Sequence, residues 1–168
     1  MKEKSFFVKL IRGVLYFLNF NMDINDALFG TQHDKVVRAS ASSYNPEQLR
    51  GLGLQITLNL SNQKVRFLGE ATNPVYPDVV IWRPDFPGSN TGQAVIVELI
   101  ENDNFTHGGL STWIRLANTI GVRFNLIVPI ARLENARTII NSNRIPNVRL
   151  QTWKYDTNLG RYIFNTKT

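Results

Sequence analysis

Hydrophobic residues along this chain are spaced first as a helix, then ambiguously, then as an alternation of strands and helices. Across residues 5–20, Phe6, Phe7, Leu10, Val14, Phe17 and Leu18 fall on one side of a helical wheel, and Ser5, Lys9, Arg12, Tyr16 and Asn19 on the other. That spacing predicts an amphipathic helix. Residues 21–44 are polar and lack a period, although Asp23 could open a short helix over 22–29. From Pro46 and Glu47 onward two periods overlap. Leu49, Leu52, Ile56 and Leu60 have helical spacing, while Leu54, Ile56, Leu58 and Leu60 alternate as in a strand. Gly51 and Gly53 weaken the helix without deciding the matter.

Beyond Ser61 the pattern firms up. Short β-rich runs at 64–68 and 78–82, then a nearly continuous apolar run at 93–100, predict three strands, the last covered on both faces. Ser111 can cap a helix running to Ile120, with Trp113, Ile114, Leu116, Ala117 and Ile120 inward and Gly121 stopping it. A strand over 123–130, a helix over 131–143 and a strand over 148–155 follow. The turn 156–160 leads into a last strand at 161–164. Strands alternating with helices imply parallel pairing under helical cover. The expectation is an α/β domain: a mixed sheet flanked by helices, with an N-terminal amphipathic helix and a C-terminal β-hairpin. Residues 1–45 would form an N-terminal helical extension and 46–168 the core domain.

Composition narrows the partners. A chain of 168 residues, 43% hydrophobic, can bury one core. Its net charge of +6 favours polyanions, nucleic acid or an anionic membrane surface. With no cysteine there is no disulfide, thiolate metal site or cysteine nucleophile, and two histidines argue against a histidine-based zinc site. Lys9 and Arg12 interrupt the apolar run at 5–20, which falls short of the roughly 20 residues of a membrane span. The expectation is therefore a cytoplasmic protein without a transmembrane segment. Its N-terminal helix docks on the core, joins copies in a homo-oligomer or larger assembly, or lies on a membrane surface.

Two acids stand in unusual company. Asp78 opens an apolar strand, and Glu98 sits inside the most apolar strand of the chain. A buried carboxylate needs a cation, a basic side chain or several hydrogen-bond donors. Two clustered carboxylates would suit a magnesium-type ion; a structural arginine on Glu98 and a turn capped by Asp78 would serve as well.

The ordered series Pro77-Asp78-Val-Val-Ile-Trp, Ala94-Val-Ile-Val-Glu98-Leu-Ile, a helix near Ser111, then Arg123-Phe-Asn-Leu-Ile-Val-Pro resembles the PD-(D/E)XK nucleases. That family has a helix, a three-stranded meander bearing the acids, a second helix and a strand parallel to the first core strands. The resemblance spans residues 46 to 155. It implies a restriction-endonuclease-like core and a metal-dependent endonuclease acting on DNA. Asp78 and Glu98, with Glu47 on the first helix, would hold Mg2+ or Mn2+. The family's lysine two residues after the second acid is Ile100 here. Glu101 would reach the site only through a β-bulge, and Arg115 on the following helix is the candidate replacement cation. A departure of this kind gives as the alternative a catalytically inactive nuclease-fold subunit that binds nucleic acid or a protein. A peripheral membrane or structural protein, its acids serving only the fold, is the third reading.

Overall fold

The computed structural model describes residues 31–166 apart from 62, 66–67, 69–72, 90 and 103–108. The helices expected over 5–20 and 22–29 lie outside the described residues, as does the docking of the first on a partner.

Helix α1 (Gln32–Ala41) begins where the Thr31 side chain accepts the Asp34 N–H. It turns Val36, Val37, Ser40 and Ala41 inward, at helical spacing. Helix α2 (Pro46–Gly51) is capped by Asn45, whose side chain accepts the Glu47 and Gln48 N–H groups. Strands β1 (Gln55–Leu58), β2 (Val79–Pro84) and β3 (Gly92–Ile100) form an antiparallel meander. Gly92 opens β3 so close to Arg83 that a Cβ there would overlap the Arg83 carbonyl, so only glycine fits. Helix α3 (Leu110–Ala117) leads to β4 (Arg123–Pro129), parallel to β3. A 3-10 turn (Ile130–Arg132) and α4 (Leu133–Ser142) lead to β5 (Val148–Asp156), parallel to β4. A tight hairpin then returns as β6 (Arg161–Thr166), antiparallel to β5.

The fold is thus α/β, with one mixed six-stranded sheet in the order β1-β2-β3-β4-β5-β6. The sheet curls so that both outer strands, β1 and β6, touch α1. Val36, Val37, Ala41, Val79, Ile100, Ile127 and Trp153 make the core on that face. The other face packs Val97, Phe124, Leu126 and Val128 against Trp113 and Leu116 of α3 and Ala136 and Ile139 of α4. β4 runs through the middle, buried from Phe124 to Pro129.

Several expectations need correction. The stretch 21–44, read as irregular, contains α1, the helix that fills the curl of the sheet. Three buried apolar residues in ten, Val36, Val37 and Ala41, diluted by polar neighbours, gave it a weak period. The ambiguous stretch after Pro46 is a helix and then a strand, so each period holds over its own half. The strand expected at 64–68 is replaced, among the described residues, by isolated bridges between Leu60 and Gln63 and between Leu68 and Val75. α3 ends at Ala117 rather than Ile120, and Ile120 is 94% exposed instead of inward. Its N-cap position is Gly109, without a side-chain bond, rather than Ser111.

Candidate functional site

α1 lies over the C-terminal half of β3, and both sequence-predicted acids contact it. Glu98 pairs with Val79 on β2 and Asn125 on β4, placing its side chain on the α1 face of the sheet. It is only 2% exposed. Its Oε2 accepts the Ser40 hydroxyl at 2.7 Å, and its Oε1 accepts the Tyr44 hydroxyl at 2.5 Å and the Asn125 amide at 3.1 Å. Three neutral donors from α1, the loop after it and β4 thus converge on one buried carboxylate. Burial, the charge of Glu98 and the hydrogen bond to it all push the Tyr44 hydroxyl far above its ordinary range, so it stays a donor.

Asp78 is nearly as buried, one residue before β2 begins. Its Oδ2 accepts the Ile100 N–H at 2.7 Å. The same residue's carbonyl lies 3.1 Å from Nε2 of His33, on the first turn of α1, and that nitrogen is 3.3 Å from Asp78 Oδ1. The N–H and C=O of one strand residue point to the same side, so Ile100 presents both toward the chain just before β2 begins. Asp78 and His33 together supply the ladder partners that the missing strand residue would have given. Burial lowers the His33 pKa, but the hydrogen bond and charge of Asp78, the Ile100 carbonyl and the charge of Asp34 outweigh it and hold the imidazole above 6.5. Asp34 itself accepts the N–H and hydroxyl of Ser61, which keep its carboxyl below the ordinary range against the opposing effect of burial.

The two acids thus have separate partner sets at separate points of α1. His33 and Ser40 are seven residues apart, which at 1.5 Å per residue is about 10 Å along the helix axis. Ile100, two residues after Glu98, is 3% exposed and packed in the α1-side core.

Glu101, just beyond β3, still donates its N–H to the Ile127 carbonyl of β4, and strand alternation puts its side chain on the other face, where its Oε1 accepts the Trp113 indole N–H at 2.7 Å. Burial and the negative charge of Asp78 raise its pKa against the pull of that hydrogen bond and of His33. Its carbonyl accepts the Trp153 indole at 3.2 Å. Arg115 points away from this centre, toward the loop before β2, where its guanidinium donates to the Asn73 carbonyl and side-chain oxygen. Glu47 is exposed in the first turn of α2. His33, Ser40, Tyr44 and Asn125 were missed as site residues. Ser40, Tyr44 and Asn125 carry no spacing signal, since they meet Glu98 only through the fold.

Among the described residues no group of three or more His, Cys, Asp or Glu is placed to hold a metal ion. No helix among them is long and apolar enough to cross a membrane. Comparison of the chain with protein-family models, with curated proteins and with solved structures found no match.

Proposed function

We propose that this chain is a nucleic-acid-binding protein on a PD-(D/E)XK-like core whose two acids have passed from metal binding to holding the fold. The observation that carries this reading is the Glu98 carboxylate, whose two oxygens accept three neutral hydrogen bonds from Ser40, Tyr44 and Asn125. A divalent cation prefers charged oxygens, water and phosphate around it, and here it would have to displace that set inside a buried pocket. The residues around Glu98 and Asp78 do not fit a shared ion. The place of the lysine is held by a core isoleucine, and the candidate substitute, Arg115, is bound to Asn73.

The order of elements supports the core assignment. A helix, a three-stranded meander carrying both acids, α3 and then β4 parallel to β3 follow in the sequence the resemblance implies. The positive charge of +6 supports a phosphate-rich partner. DNA binding measured over a salt series tests the reading: log affinity should fall linearly with log salt, reflecting several phosphate contacts. Affinity that is absent at low salt would refute it.

A further inference from the structure

The α1 face of the β5–β6 hairpin is aromatic at successive positions. Trp153 lies opposite Phe164, and Tyr155 opposite Tyr162. Trp153 is buried, with its indole N–H on the Glu101 carbonyl. Its ring meets Tyr162 edge to face with centroids 5.8 Å apart, and Tyr162 meets Tyr155 the same way at 5.1 Å. A row of rings thus starts in the core beside the end of β3 and runs outward to Tyr155, which is 50% exposed. An edge-to-face contact leaves ring faces uncovered, and Tyr155 sits at the open end of the row. β6 is the last strand of the sheet, and the hairpin carries Arg149, Lys154 and Arg161 against the single acid Asp156.

From this geometry we infer that Tyr155 and Tyr162 form a stacking platform for unpaired nucleobases, making single-stranded nucleic acid, or a duplex with an unpaired end, the ligand class. The inference rests on the nucleic-acid reading above and sharpens it. An aromatic face is sequence-tolerant because every base offers a π-face, but only an unstacked base has that face free. Lys154 and Arg161 lie on the other face of the hairpin, opposite Ile163 and Asp156, and of its cations Arg149 shares the face of the tyrosines. The net charge of +6 favours a phosphate-bearing ligand over a neutral sugar. The buried Trp153 and the strand pairing hold the two tyrosines in place before the ligand arrives, so little side-chain freedom is lost on binding.

The experiment compares a labelled 12-nucleotide single strand with a 12-base-pair duplex, using the full chain at low salt. Wild type should prefer the single strand. Tyr155→Ala should weaken that binding on the order of 5- to 100-fold, as expected for one lost base stack, and leave duplex binding unchanged. Tyr155→Phe should retain wild-type affinity, because stacking needs the ring and not the hydroxyl. Thermal melting of each variant checks the fold, and Tyr155 is exposed enough for alanine to be tolerated. Equal affinity in wild type and Tyr155→Ala, or a preference for duplex, would overturn the platform while leaving nucleic-acid binding intact. Binding to neither ligand would overturn the parent reading, and the platform with it.

Discussion

Tyr44, in the loop beyond α1, donates its hydroxyl to Glu98 near the C-terminal end of β3 at 2.5 Å. With Ser40 and Asn125 it makes the carboxylate a tie between α1, β3 and β4. A buried charge of this kind contributes through the donors around it, and removing one donor leaves part of the charge unsatisfied. Tyr44→Phe and Ser40→Ala should each lower unfolding free energy by about 1.5–3 kcal/mol. Chemical denaturation at neutral pH checks both. A change near zero would mean that the carboxylate is served in some other way.

His33 gives the fold a pH dependence of known sign. Its pKa in the folded protein lies above 6.5, so the folded state holds this proton more tightly than the unfolded chain. Its contribution is fully present below pH 6.5 and is lost as pH rises through the raised folded value. Stability measured from pH 5.5 to 8.5 should therefore contain a falling component that disappears in His33→Asn. An unchanged slope in the variant would contradict the His33–Asp78 pairing.

Glu101 titrates in the same sense for a different reason. Burial and Asp78 raise its pKa, so the folded protein binds its proton more tightly, and stability falls as pH rises from about 4.5 through the raised value. Glu101→Gln keeps an oxygen for the Trp113 indole and removes the charge. It should melt higher than wild type at pH 7, and the two should draw together at acid pH. A lower melting temperature at neutral pH would show that the charge is satisfied.

Arg115 should matter to the loop before β2 rather than to any reaction. Its bonds to Asn73 are partly exposed, so Arg115→Ala should cost about 0.5–1.5 kcal/mol. Single-strand affinity should change by less than twofold. A large loss of affinity would place Arg115 on the ligand.

What could be read in the sequence follows the physics of each element. The runs at 78–82, 93–100 and 123–130 were legible because strands covered on both faces are continuously apolar, as β4 is from Phe124 to Pro129. The isolation of Asp78 and Glu98 among such residues showed that both would be buried and would need partners. Which partners they have was not legible. Ser40 and His33 come from a helix of polar appearance and Tyr44 from the loop after it, brought over β3 by the curl of the sheet, and no local period records that. The α3 end failed for a similar reason. Ile120 fits the helical spacing but falls beyond Asn118, where the helix ends.

In the proposed reading the buried acids serve the fold and the chain binds nucleic acid without cutting it. The most direct test incubates purified full-length protein with single-stranded and duplex DNA in Mg2+ or Mn2+, scoring binding and cleavage in the same samples. Salt-sensitive binding, no cleavage with either metal, and a lower melting temperature in Glu98→Gln are expected, since the amide no longer offers two charged oxygens to Ser40, Tyr44 and Asn125. Metal-dependent cleavage by wild type that vanishes in Asp78→Asn and Glu98→Gln, with melting temperatures unchanged, would contradict that reading.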